Sequence, residues 1–116
     1  MVKGEIYFAN SSPRSGSELR GSRPCILVSH NQYTAAPRWT SVTVVPCSTS
    51  ERWLAASPTR VQFEVGECGF TKRCAAIPAQ ITTLDKSKLR GGPIGRLSLE
   101  KEAALAEALR NYLGID

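Results

Sequence analysis

Along most of this chain the apolar residues come in short runs separated by polar, Gly- and Pro-containing stretches. Gly4 to Asn10 is rich in aromatic and β-branched side chains and reads as an opening strand. Pro24-Cys25-Ile26-Leu27-Val28 is nearly continuous apolar sequence, the pattern of a central strand, and it carries on through Ser29, His30 and Asn31. A loop over 32–40 with Pro37 and Trp39 leads to a second buried strand over 41–49, where Pro46 calls for a bulge or an edge. After a loop holding Trp53, Val61 to Val65 alternates apolar and polar, so one face is wet. Gly66 and Gly69 mark a turn. Cys74 to Leu84 is the last extended segment, bent at Pro78, and Gly91-Gly92-Pro93 breaks the chain.

Two segments depart from this rhythm. Residues 11–23 are polar and rich in Gly, Ser and Pro, which predicts a mobile loop bearing Arg14, Arg20 and Arg23; loops this long inside compact domains are usually functional. The C-terminal segment has helical spacing instead. Ser98 is a good N-cap, Glu100 places favourable charge in the first turn, and Glu102 lies one residue past the capping-box position. Leu99, Ala103, Ala106, Leu109 and Leu113 form one apolar stripe, and Gly114 supplies the stop. About five short strands followed by one helix exclude a doubly wound α/β domain. They predict a mainly β fold, a small SH3-like barrel with its C-terminal helix packed against it. With no internal repeat or linker, residues 1–116 are expected to form one domain.

Composition narrows the setting. No apolar run approaches the roughly 20 residues that cross a bilayer, and the N-terminus has no signal-like apolar segment, so a cytoplasmic protein is expected, with no membrane partner. Cys25, Cys47, Cys68 and Cys74 lack the close pairing of a structural zinc site and are expected as reduced thiols; metal binding is the weaker alternative. The net charge of +5 is unevenly spread. Residues 1–97 carry 13 Lys and Arg against 6 Asp and Glu, whereas residues 98–116 carry 2 against 4. The basic body either draws in a polyanion or serves solubility alone.

The candidate chemistry is sparse. There is no phosphate-cradling glycine motif and no cluster at metal-ligand spacing, which makes ATP- and dinucleotide-dependent enzymes poor candidates and leaves no cofactor to expect. His30 is the only histidine; no nucleophile motif accompanies it, and a structural role suits a histidine in a strand. Arg23 is different, because it ends the polar loop and leads into a buried strand. Facing the hydroxyls of Ser48 and Thr49 at a strand end, its planar, bidentate guanidinium would hold a phosphodiester. RNA brings its own nucleophile, the 2′-OH, so such a site needs no metal. The competing reading pairs Arg23 with Glu18 or a carbonyl.

Four stretches together carry a family resemblance: Lys3 to Phe8, Gly16 to Pro24, Val44 to Thr49, and Gln80 to Leu89 followed by Ile94 to Ser98. In this order and spacing the chain resembles the MazF/PemK toxins of type II toxin–antitoxin systems. The resemblance implies an SH3-like barrel that forms a homodimer and is covered by the acidic segment of a cognate antitoxin. It implies metal-independent, sequence-selective cleavage of single-stranded RNA to 2′,3′-cyclic phosphate and 5′-hydroxyl ends. The family's catalytic arginine falls on Arg23 and its threonine on Ser48, with Thr49 the substitute after a one-residue shift. Gly16, Glu18, Arg20 and Gly21 would form the loop over the RNA groove, and Gln80 would read a base edge or bond backbone in its bend. Trp39 and Trp53 would stack bases or serve as packing and dimer anchors. The acid that several relatives carry before this glutamine is Ala79 here, and an arginine position is Ile77. Either Arg23 with Ser48 then suffices, or another group such as His30 or Glu18 helps, or activity is weak. The alternative is a barrel of the same fold that acts by protein binding, as the gyrase-poisoning toxins do, or that only binds RNA.

Overall fold

The computed structural model describes residues 1–11 and 21–116. These form β1 (Glu5–Ser11), β2 (Gly21–Leu27), α1 (Asn31–Thr34), β3 (Ser41–Ser48), β4 (Val61–Phe63), β5 (Cys74–Ala76), β6 (Thr82–Asp85), β7 (Leu89–Arg96) and α2 (Leu99–Leu113). The strands pair antiparallel in the order β4-β5-β3-β2-β1-β7, with β6 also on β3. The result is the expected mainly β architecture, a curled sheet with one long C-terminal helix against it.

β3 is the hub, and two prolines decide where its ladders stop. Its first half pairs with β6, from Ser41↔Asp85 to Val44↔Thr82, and its last two residues pair with β5, as Cys47↔Ala76 and Ser48↔Ala75. Pro46 stands between. It has no N–H to give on that side, and its carbonyl accepts from Ile77 N at 2.9 Å. Opposite it the partner chain turns through a 3-10 segment, Pro78–Gln80, so the single extended segment expected over 74–84 is two strands bent at Pro78. On the other side of β3, pairing with β2 runs from Leu27↔Val44 to Cys25↔Pro46 and goes no further. Val28 N donates to Thr43 O (3.0 Å), which by alternation turns the Ile26 and Pro24 backbones toward β3. Pro24 has no N–H for the next rung, and the ladder ends there.

The sheet buries both faces. One carries Ile6, Ile26, Val45, Cys47, Val61, Phe63, Cys74 and Ala76, packed with Phe70, Leu97 and the α2 residues Leu105 and Ala108. The other carries Tyr7, Ala9, Cys25, Leu27, Val42, Val44 and Leu89. Gly69 and Gly95 let the 3-10 turn Glu67–Gly69 lie directly on β7, since a Cβ on Gly95 would overlap Cys68 O.

Several expectations need correction. β2 ends at Leu27, and His30 is the N-cap of α1 rather than a strand residue. Gly91-Gly92-Pro93 does not break the chain but lies inside β7, where the register against β1 shifts between Ile6↔Gly95 and Phe8↔Arg90; the positive φ of Gly91 accommodates the bulge. The ends of α2 are as expected: Ser98 Oγ accepts from Lys101 N (3.2 Å), and Gly114 caps in the left-handed conformation. Its buried face is so only in part, with Leu109 packed on the core as expected. Leu105 and Ala108 point inward, while Leu99 is 85% exposed and Leu113 is 48% exposed. Lys101 explains the rotation. Its ammonium donates to Gln62 O (2.7 Å), pairs with Glu67 and lies over the Phe63 ring, so a charged residue occupies an inward position that hydropathy assigns to solvent. Among the described residues no helix is long and apolar enough to cross a membrane.

Candidate active site

Register places Arg23 and Ser48 on one face. Arg23 pairs with Ala9 on β1 and alternates with Cys25 and Leu27, so it shares the sheet face opposite α2. Ser48 alternates with Pro46 and Val44 on that same face. Carried two residues beyond Cys25↔Pro46, the β2–β3 register sets Arg23 across from Ser48. This is where Pro24 stops the ladder. The two side chains therefore flank the end of a strand pair with no backbone rung between them.

Arg23 is half-buried, and its carbonyl accepts from Cys25 Sγ at 3.7 Å. Burial pushes the Cys25 thiol up to about 12, and the Arg23 charge pulls the other way. Ser48 is 1% exposed, and its Oγ accepts from Ser50 N (3.1 Å), which leaves the hydroxyl proton to donate elsewhere. Thr49, the next residue, is exposed. The neighbouring Cys47 thiol is driven up by burial and by its hydrogen bond to Cys74, whose own thiol is lowered by that bond. Beneath Ser48 the sheet is thus dry and neutral.

Of the other expected residues, Gln80 is half-buried at the end of the 3-10 turn whose Ile77 N bonds Pro46 O, so its turn adjoins β3 near Ser48. Gly21 opens β2, opposite Ser11. His30 is not brought to Arg23: it is exposed, three residues past the far end of β2, and Arg23 to Leu27 alone spans about 13 Å at ~3.3 Å per residue. Its Nδ1 accepts from Gln32 N (3.0 Å), a helix-capping role. Gly16, Glu18 and Arg20 lie outside the described residues. At the two positions where the family resemblance places charge, Ala79 is exposed and Ile77 is fully buried. Trp39 is 49% exposed and stacks on Tyr33, 5.0 Å between ring centroids. Among the described residues no three or more His, Cys, Asp or Glu side chains converge as metal ligands would.

The loop between β3 and β4 adds residues that sequence reasoning passed over. The guanidinium of Arg52 lies 4.7 Å from the Trp53 ring centroid and that of Arg60 5.6 Å from it. Arginines at one and seven residues from a tryptophan in a loop are an ordinary pattern, and only the fold shows that they share one ring. On α2's side, a groove of about 560 Å³ is lined by Leu27, Val28, Leu97, Leu99, Ala103 and Ala106 among others, and none of the described expected site residues reaches it.

A family model for PemK-like, MazF-like toxins of type II toxin–antitoxin systems matches residues 2–113. The chain belongs to that family. It is 31% identical over 113 residues to the Endoribonuclease EndoA of Bacillus subtilis (strain 168), covering 97% of this chain and 94% of the relative. Among solved structures, the Mycobacterium tuberculosis toxin MazF-mt6 matches with a TM-score of 0.76 and 26% identity, over 97% of this chain and 98% of that one. A mycobacterial endoribonuclease solved in complex with its cognate antitoxin shares the fold at a TM-score of 0.78 and 21% identity, over 100% and 97% of the two chains. The curled sheet and single C-terminal helix are thus the architecture of MazF structures.

Proposed function

We propose that this chain, as one domain over residues 1–116, is a cytoplasmic endoribonuclease toxin that cuts single-stranded RNA at short sequences without a metal. The observation that carries the reading is the shared face of Arg23 and Ser48 at the point where Pro24 ends the β2–β3 ladder. A phosphodiester between them would meet a fixed, planar cation on one side and a hydroxyl donor on the other. The 2′-oxygen attacks phosphorus, the bond to the 5′-oxygen breaks, and a 2′,3′-cyclic phosphate and a 5′-hydroxyl result. The 2′-OH proton leaves to a base, and a proton reaches the departing 5′-oxygen. Arg23 stabilises the charge that builds on the phosphorane oxygens. A guanidinium holds its protons tightly and is a poor proton source, so water supplies the leaving-group proton. Ser48, or the exposed Thr49 beside it, donates the second hydrogen bond. Family membership and the curated relative's name support the enzymatic reading, and the mycobacterial endoribonuclease solved with its cognate antitoxin supports an antitoxin partner; the acidic segment that would cover the RNA groove and the homodimer are what the family resemblance implies.

Ala79 favours a second reading, because no carboxylate stands there to act as base. On that reading the barrel binds a protein target, or RNA alone, without cutting. Incubating a long single-stranded RNA with the protein in EDTA, beside the Arg23→Ala variant, decides between them. Cuts at a recurring short sequence with cyclic-phosphate ends, lost in the variant by a factor of at least about 100, support the endoribonuclease. Intact RNA with folded protein at high concentration transfers the case to the second reading.

A further inference from the structure

The pairings of β5 extend the active face past Ser48. Ala75 pairs with Ser48 on one side and with Gln62 on the other, so Ser48, Ala75 and Gln62 form one row across β3, β5 and β4. Val61 and Phe63 belong to the core under α2, which turns Gln62, and Arg60 two residues before it, to the face that carries Ser48 and Arg23. From Ser48 to Gln62 is two strand spacings, about 10 Å. The chain that leaves Ser48 folds back over this row: Gln62 Nε2 donates to Leu54 O, and Arg60 Nη1 donates to Arg52 O (3.4 Å). Asn111 Nδ2 holds the far side of the same loop through Pro58 O (2.8 Å). The loop is fixed at three points, and it presents Arg52, Trp53 and Arg60 beside the scissile site.

This cluster is costly as it stands. Two guanidiniums are drawn to one indole ring, and neither forms an ion pair with a described carboxylate. The Nε of Arg60 is shielded from solvent with no acceptor. Like charges held together and a buried donor left unpaired both raise the free energy of the empty site. An anion with several acceptor oxygens relieves the repulsion, and a phosphate suits two planar, multidentate donors better than a single carboxylate does.

We propose that Arg52 and Arg60, positioned by Trp53, form a subsite for a backbone phosphate of the RNA next to the one being cut. The inference rests on the endoribonuclease reading and deepens it. The subsite fixes the strand's register relative to Arg23 and contributes affinity rather than chemistry. The row of about 10 Å from Ser48 to Gln62, over which the loop folds, suits a phosphate about one or two nucleotides away.

The test uses the full chain and a short RNA containing its cleavage sequence, with a 2′-O-methyl group at the cut so that it binds without reacting. In Trp39→Phe protein Trp53 is the only tryptophan, and its fluorescence reads the binding. A set of oligonucleotides carries a neutral methylphosphonate at each flanking position in turn. One position is expected to weaken binding to otherwise unchanged protein by about tenfold. Arg52→Ala and Arg60→Lys, each checked by thermal melting, are expected to weaken binding of the unmodified RNA while losing sensitivity to that same methylphosphonate. The slope of log K against log salt should become shallower by about 0.7 for Arg52→Ala. A loop-staple role for the cluster would leave both the coupling and the salt slope untouched. If the protein cuts and binds RNA but every methylphosphonate acts alike on the Arg52 and Arg60 variants and on the parent, the subsite is wrong and the nuclease stands. If arginine substitution weakens only the capture of an acidic peptide, the cluster serves a protein partner and the subsite is again wrong. If RNA is neither bound nor cut, the endoribonuclease reading fails with it.

Discussion

Replacing Ser48 by alanine removes one oxygen from a site that is 1% exposed, and that oxygen has two separable jobs. As an acceptor it takes the hydrogen bond from Ser50 N at 3.1 Å. Losing a bond of this kind costs about 1 kcal/mol net. For a chain of this size that lowers the melting temperature by about 4 °C. As a donor its proton is free to reach a phosphate oxygen, and removal of one transition-state donor lowers kcat by about 100- to 1,000-fold. Thr49→Ala is the comparison, since Thr49 is exposed and its loss should move stability by less than about 0.5 kcal/mol. Ser48→Thr, the residue of the family pattern, keeps the hydroxyl but adds a methyl group to a filled position, which costs about 1–3 kcal/mol. Thermal denaturation and single-turnover cleavage on the three variants separate the jobs. Ser48→Ala melting like the parent refutes the hydrogen-bond reasoning. Ser48→Ala cutting at full rate while Thr49→Ala is inert moves the donor role to Thr49, and full activity in both removes hydroxyls from the mechanism.

Two further outcomes test the core around the site. Phe63 is fully buried, 4.8 Å from the Phe70 ring and under the Lys101 ammonium, so Phe63→Ala should destabilise by about 3–5 kcal/mol and shift the urea midpoint accordingly; a shift under ~1 kcal/mol would show that α2 does not pack there. The Cys25 thiol, at about 12 in the folded chain against an ordinary 9.0, keeps its proton where the unfolded chain loses it. Its stabilising contribution is therefore complete below pH 9 and disappears as pH rises toward 12, at up to about 1.4 kcal/mol per pH unit. Urea unfolding in reductant at several alkaline pH values should show a shallower loss in Cys25→Ala, and parallel profiles would place Cys25 in contact with water.

What could be read without the fold was whatever depends on neighbours in sequence. The caps of α2 at Ser98 and Gly114, the extent of β3 and the bend at Pro78 are local effects of hydroxyl, left-handed glycine, β-branching and a missing N–H. Reading failed where a distant partner overrode local preference. Lys101 turns inward because Gln62 O and Glu67 wait for it, and this rotates the buried stripe of α2 away from Leu99 and Leu113. Gly91-Gly92-Pro93 stays within a strand because β1 resumes pairing after a bulge. His30 is a different case, a local cap that the apolar run masked: its ring accepts from the Gln32 amide and starts a helix where the strand pattern continued. The candidate site divides along the same line. Arg23 and Ser48 came from a motif resemblance, whereas the register that puts them on one face is a contact across the sheet, and the sharing of Trp53 by Arg52 and Arg60 depends on how the β3–β4 loop folds back on itself.

The prolines connect these levels. A β-sheet presents a continuous, paired backbone, which is a poor place for a reactive phosphodiester to settle between side chains of adjacent strands. Pro24 removes a donor from the next β2–β3 rung, opposite Cys47 and beside Arg23 and Ser48, and Pro46 interrupts the partner on the other side of β3 and brings the Gln80 turn against it. The opening costs little, because the layer beneath it is closed: Cys47, Ala76 and Ile77 are each 1% exposed or less and packed away from solvent. The arginine at the mouth therefore stands on a rigid, dry floor, and its guanidinium need not be reordered when charge develops on phosphorus. A substitution that restored the missing N–H, such as Pro24→Ala, would allow the rung to form and the strands to close at the very point where the substrate must enter.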